Sequence, residues 1–233
     1  MKGKIPTMKK TFLLILTLIV SGVFPLLSSE IRSGHDFVFL GKNHVRFLKN
    51  GWMVFQWEKK MYAHGSWNIS TPLRYYSFLD QKNALRNPSE GVWEYKGIFP
   101  ADKENNLITF HQTVEVNPFG LLDVSITGQS RNPKADKGSF FHIVCNIKDF
   151  AGKEFLIGNQ KVKVENVQKY GTFNKVLENV ELTFFHWDEK RCFKILCSGK
   201  VRIVTGSTKD KHFSVRIIPA ENKSSLLFSV KFR

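Results

Sequence analysis

Two carboxylates, Glu58 and Glu94, are the candidates for work on a glycosidic bond. Glu58 closes the run Trp52-Met53-Val54-Phe55-Gln56-Trp57-Glu58, and Glu94 lies in Val92-Trp93-Glu94-Tyr95. Two such groups across a cleft are the minimal equipment for glycoside cleavage: one protonates the leaving oxygen, the other serves as base or nucleophile. His64 and His111, with Tyr62, form a second set. They suit removal of the proton beside a uronate carboxyl, with Arg or Lys neutralising the charge. Each residue also has an ordinary reading, a solvated strand carboxylate or a surface or core histidine, and one sequence does not show that any of them meet.

Binding is better represented than catalysis. Trp52, Trp57, Trp67, Trp93, Tyr62, Tyr75 and Tyr76 fall close together along the chain. The C–H faces of sugar rings stack on aromatic planes, while Arg, Asn, Gln and carboxylates bond the hydroxyls. Trp67 follows a glycine in His64-Gly65-Ser66-Trp67-Asn68 and reads as a ligand platform or a loop anchor. Tyr75 and Tyr76 are adjacent, so in an extended segment one faces in and the other out. Arg74 and Arg86 are the nearby guanidinium groups, and His64 adds a polar contact. The expected ligand-binding set is Trp67, Tyr75, Tyr76, Arg74, His64 and Trp93. Trp57, in phase with Met53 and Phe55, reads as core.

Several chemistries find no signature. There is no HExxH, no GxSxG elbow and no phosphate loop, so neither a metal nor a cofactor is expected. The three cysteines make a poor disulfide framework. Cys192 and Cys197, five apart in one expected strand, should point to opposite faces. Cys145 shares the apolar phase of Phe141, Ile143 and Ile147, although one bridge between distant strands is open.

The elements that would position these groups are strands. From Gly91 to Ile126 the chain holds two runs of period two. Ile108, Phe110, Gln112, Val114 and Val116 share one face, the turn Asn117-Pro118-Phe119-Gly120 follows, and Leu122, Val124 and Ile126 alternate again. This predicts a β-hairpin with one buried face. Asn50-Gly51 between apolar runs predicts another, and Phe193–Cys197 with Val201–Ile203 reads as a third through Ser198-Gly199-Lys200. The segment from Lys59 to Asn87 breaks the alternation and reads as a long aromatic excursion, with a short helix around Leu79 to Arg86. In all, the pattern predicts an all-β fold: an antiparallel β-sandwich, jelly-roll or supersandwich-like, of about 12 strands. Short strands and Lys-rich polar faces argue against the rival, an outer-membrane barrel.

The first 29 residues read as a secretory signal peptide: Lys9-Lys10, an apolar run from Phe12 to Val20, then Ser28-Ser29. One domain is expected over residues 30–233. The leader carries Lys2, Lys4, Lys9 and Lys10 and no acid, so its loss lowers the formal charge from +15 to +11. A secreted or periplasmic protein this basic favours an anionic partner such as an acidic polysaccharide. Export argues against nucleic acid, and after cleavage no transmembrane helix is expected. The compact MKK start looks bacterial.

At Trp93-Glu94-Tyr95-Lys96-Gly97, Ile108-Thr109-Phe110-His111-Gln112-Thr113-Val114, Leu121 to Ile126 and Phe150-Ala151-Gly152-Lys153, the chain resembles β-sandwich modules of secreted bacterial carbohydrate-active enzymes. The resemblance spans about residues 91–165. It implies an accessory sandwich or supersandwich associated with glycan processing, and carries over no catalytic residue. The reading that follows is a non-catalytic binder of an anionic glycan. The alternatives are a polysaccharide lyase or glycosidase, and a structural envelope or adhesion component.

Overall fold

The computed structural model describes residues 31–49, 52–70, 75–77, 85–100, 107–130, 139–221 and 225–233. The expected leader lies outside them, as does most of the helix expected around Leu79. Among the described residues are nineteen strands and one helical turn. No helix there is long and apolar enough to cross a membrane.

The strands form two antiparallel sheets. The first opens with β1 (Ile31–Gly34), β2 (Phe37–Leu40), β3 (Asn43–Phe47), β4 (Met53–Trp57) and β5 (Lys60–Ser70), paired in sequence. It continues through β11 (Ser139–Asn146), β18 (His212–Pro219) and β17 (Lys200–Thr208) to β14 (Lys169–Glu178), while β6 (Tyr75–Ser77) pairs with the end of β5. The second runs from β7 (Leu85–Ser89) through β8 (Val92–Pro100), β9 (Leu107–Val116) and β10 (Leu122–Ser130) to β19 (Ser225–Phe232). Beyond β19 lie β16 (Phe193–Cys197), β15 (Glu181–Phe184), β12 (Glu154–Ile157) and β13 (Gln160–Lys163). A single turn, α1 (Ile147–Phe150), is capped by Asn146, whose side chain accepts from the Lys148 N–H.

Alternation explains the packing. Ile108, Phe110, Gln112 and Val114 are buried, and so are Leu122, Val124 and Ile126 opposite them. The β9–β10 hairpin therefore stands as its pattern predicts. Rings from both sheets meet between the layers: Phe55 stacks on Phe193 at 4.8 Å and Phe47 on Trp93 at 4.1 Å, while Phe141 meets Phe228 at 4.8 Å. Gln112 is the polar member of this core. It is fully buried, and its amide N–H donates to the Met53 sulfur at 3.9 Å.

Three expectations need correction. The strand count exceeds twelve because β1, β6, β7 and β14 are short, or almost wholly exposed, and carry little apolar periodicity. The supposed excursion after Lys59 begins with the eleven-residue β5, in the middle of the first sheet. There Ala63, Gly65, Trp67 and Ile69 point inward. Gly65 hides the alternation because the Phe141 ring occupies the space a side chain would need: a Cβ would lie 2.6 Å from it. Finally, β16 and β17 form no hairpin, since one belongs to each sheet and Ser198-Gly199 carries the chain between layers.

All three cysteines are free and buried. Burial raises each thiol pKa, that of Cys197 to about 12. Cys192 stands just before β16 and is as enclosed as Cys197, so the expected opposition of faces does not expose it.

Candidate functional site

The expected aromatic platform is taken up by the core. Trp67 is 1 % exposed on the inner face of β5, and Trp93 is fully buried against Phe47, its indole N–H donating to the His35 carbonyl at 3.1 Å. Neither ring has a face open to a sugar. His64 lies on the outer face of the first sheet, its ring parallel to Trp52 at 4.3 Å. Burial, and secondarily His212, lowers its pKa. Tyr75 and Tyr76 stand in β6, where their backbones pair with Ser70 and Ile69. Arg74 lies outside the described residues.

The catalytic sets are only partly assembled. Glu94 and His111 do meet, on the outer face of the second sheet, at 3.4 Å, and Lys96 reaches the other Glu94 oxygen at 3.2 Å. The Lys96 hydrogen bond, helped by the Lys96 and His111 charges, holds the Glu94 carboxyl below its usual range against the opposing effect of burial. Glu58 belongs to the β4–β5 turn of the first sheet, where it and Lys59 both take left-handed backbone, φ 47° and 67°. It forms no carboxylate pair with Glu94. Tyr62 is interior, donating to Asn43 at 3.1 Å, and burial raises its pKa. It therefore stands apart from His111.

A cleft that the sequence reading did not select opens where the two sheets end together. Its volume is about 430 Å³, and Trp57, Phe119, Lys42, Lys231 and Arg233 are among the residues lining it, a size suited to a small ligand. Each wall is built by local rules. Phe119 sits at the tip of the β9–β10 hairpin, 75 % exposed. Its backbone is held by Asn117, whose side-chain oxygen accepts from the N–H groups of Phe119 and Leu121 at 2.9 and 3.1 Å. Gly120 supplies the left-handed residue, φ +74°, that closes the turn. The Asn117 amide donates to Asp123 at 3.0 Å, which ties the tip back to its strand. The ring is thus presented to solvent from a fixed turn.

Opposite, the two-residue turn Gly41–Lys42 joins β2 to β3, with Gly41 at φ +63°. It places Lys42 at the rim. Trp57, at the end of β4, is half-buried with its body against the core. The end of β19 contributes the remaining cations. Phe232 packs 6.0 Å from Phe55 and 6.1 Å from Phe193, and the Arg233 N–H donates to the Cys192 carbonyl at 3.2 Å. Lys42 and Lys231 have no carboxylate partner among the described residues, and Arg233 reaches Glu189 only at 3.9 Å.

Lys231, Phe232 and Arg233 also border a second hollow of about 460 Å³, on the outer face of the second sheet, lined by Thr183, His186 and Lys194 among others. There Lys194 is paired with Glu181 at 2.8 Å. The two hollows share a wall formed by Lys231, Phe232 and Arg233. Aromatic surface beside unpaired ammonium groups can take up apolar ring faces and negative charge together. In the sequence, the signal for Phe119 was an aromatic residue at a turn tip, where no core needs it.

No family of known proteins matches the chain, and no curated protein matches it. Among solved structures it is similar to a 4-alpha-glucanotransferase from Thermococcus litoralis, at 10 % identity and a TM-score of 0.47, over 87 % of this chain and 37 % of that one. The chain thus spans little more than a third of that enzyme's length.

Proposed function

We propose that the protein is a secreted, non-catalytic carbohydrate-binding module that holds an anionic glycan in the cleft at the end of its sheets. Its two broad layers suit a supersandwich better than a jelly roll. The observation that carries the reading is the Phe119 ring, 75 % exposed on a braced turn, at a cleft that also holds Trp57 and three cations. Phe119 and Trp57 take the stacking role first expected of Trp67 and Trp93. Lys42, Lys231 and Arg233 take the electrostatic role expected of Arg74. The adjoining hollow lets an extended polymer continue past Lys231.

The test is a glycan-array screen of residues 30–233 at physiological and high salt, repeated with Phe119→Ala and with Lys42→Gln/Lys231→Gln. Selective binding to acidic glycans is expected, roughly tenfold weaker in Phe119→Ala and less salt-dependent in the double variant. Unchanged binding in both variants would remove the cleft from the reading.

The lyase or glycosidase alternative has one observation in its favour, the contact between Glu94 and His111. That pair lies outside both hollows, and its carboxylate is already engaged by Lys96. New reducing or unsaturated ends after incubation with acidic polysaccharides would put it ahead.

A further inference from the structure

The outer face of the first sheet carries a third, smaller hollow. Its volume is about 190 Å³, space for a single hexose-sized unit, and it lies over Val204–Gly206 of β17. Tyr170 of β14 borders it, as do Ser214 and Arg216 of β18. The lining follows from the sheet register. Gly206 pairs with Tyr170 on one neighbour and Ser214 on the other, while Val204 pairs with Arg216.

Glycine is required at position 206 because the Tyr170 ring lies across it: a Cβ there would be 2.6 Å from that ring. The ring is further held by its hydroxyl, 3.2 Å from Thr208 Oγ1. Even so, Tyr170 remains 59 % exposed, with much of its ring facing solvent. The bulge between Tyr170 and Asn174 interrupts the strand just beyond the ring, so no neighbouring side chain in register covers that side.

Arg216 is the other half of the site. Its guanidinium lies over the Phe140 ring, 5.0 Å from the centroid, and it has no carboxylate partner among the described residues. A guanidinium braced on a ring keeps its outward N–H groups as a planar fork, which matches the two oxygens of a carboxylate. Ser214 adds a hydroxyl, engaged only by a long bond of 3.4 Å to the Gly206 carbonyl. Glu178, the last residue of β14, is the one carboxylate that the strands of the first sheet contain, and among the described residues no carboxylate pairs with Arg216.

We propose that this hollow binds one uronic acid unit, with the pyranose against Tyr170 and the carboxylate on Arg216. It is separate from the end cleft and does not depend on it. Tyr170 also serves to cover Gly206, a packing role that another large side chain could fill, and the test distinguishes the two roles.

Glucuronate, glucose and acetate are titrated separately into the ¹⁵N-labelled protein, following the backbone amide resonance of Ser214, which every variant retains. Glucuronate is expected to shift it saturably, whereas glucose and acetate bind at least roughly tenfold more weakly. Arg216→Lys, which keeps charge and stem, should weaken glucuronate about tenfold by loss of the bidentate fork. Tyr170→Leu keeps Gly206 covered and should weaken it several-fold through loss of the aromatic face. Phe119→Ala should leave this titration unchanged. Acetate binding as well as glucuronate would reduce the site to a bare cation. Equal affinity in Arg216→Lys and Tyr170→Leu, or no shift with any probe, would overturn the proposal. Loss in Phe119→Ala instead would assign the effect to the end cleft.

Discussion

The strands of the two sheets differ in how many acids they carry. The strands of the second sheet carry Glu94, Glu115, Asp123, Glu154 and Glu181, and most of these are engaged. Glu94 holds Lys96, Glu181 holds Lys194 at 2.8 Å, Glu154 holds Lys161 at 3.0 Å, and Asp123 accepts from Ser229 at 2.5 Å. On the first sheet, Arg46 pairs with Asp36 and Lys200 with Glu221, both acids lying outside the strands, while other cations and imidazoles lie on rings. Arg32 sits 5.0 Å from the Phe39 centroid, and His44 stacks on Phe39 at 4.3 Å. Trp52 and His64 form a parallel pair, and Phe140 carries Arg216. A carboxylate partner occupies a cation's donors. A ring supports the cation from one side and leaves its donors outward. Strand-borne acids are therefore unevenly divided between the two sheets, and Arg216 is a cation whose support is a ring and not a carboxylate.

The largest change to this arrangement comes from below it. Phe55 is fully buried and stacks across the layers on Phe193. Phe55→Ala should cost about 3–5 kcal/mol in urea unfolding, and both faces should lose ligand together, since they share one core.

Acid should separate the faces. Burial chiefly, with Arg216, His64 and His212 adding, lowers the His142 pKa from 6.5 to about 4. Between those values the unfolded chain binds a proton that the native state refuses. The His142 contribution is thus complete above about pH 6.5 and is lost as pH falls towards 4, by at most about 3 kcal/mol. Glu94 acts on a different limb. Its pKa is lowered from 4.5, so its contribution is present above that value and is lost only at lower pH. Denaturant midpoints for His142→Asn should be flatter between pH 6.5 and 4 than those of the parent. An unchanged slope would mean that His142 takes up its proton equally in the native and unfolded states over that range.

The smallest effect belongs to the self-paired face. Glu94→Gln should cost under about 1 kcal/mol at neutral pH, because an exposed ion pair contributes little. It should leave glycan binding as it was. A larger loss of binding than in Phe119→Ala would move the site to the second sheet.

Much of the fold is legible where burial imposes a period of two. The hairpin β9–β10 reads directly, even to Gln112 in the buried phase. What the pattern conceals is β5, where an inward glycine is explained only by a ring on the neighbouring strand. The pattern also conceals whether β16 and β17 stay in one layer, because Ser198-Gly199 serves a hairpin or a crossing equally well. The site is less legible. Trp67 looks like a platform because its neighbours are polar, yet those neighbours occupy the outward positions of a strand whose inward positions form the core. Lys42, Phe119 and Arg233 are far apart in sequence and meet only because three strand ends converge.

The position of β19 has a consequence for how the molecule is made. This strand lies between β10 and β16, and its Ser229 hydroxyl bonds to Asp123, 106 residues earlier. Until it is in place, β7–β10 and the four strands β12, β13, β15 and β16 are two separate half-sheets, each with an unfilled edge. During synthesis the second layer cannot close progressively from the N-terminal side. It waits for Ser225–Phe232 to leave the ribosome and then joins in one late step, with the slow kinetics that distant contacts impose.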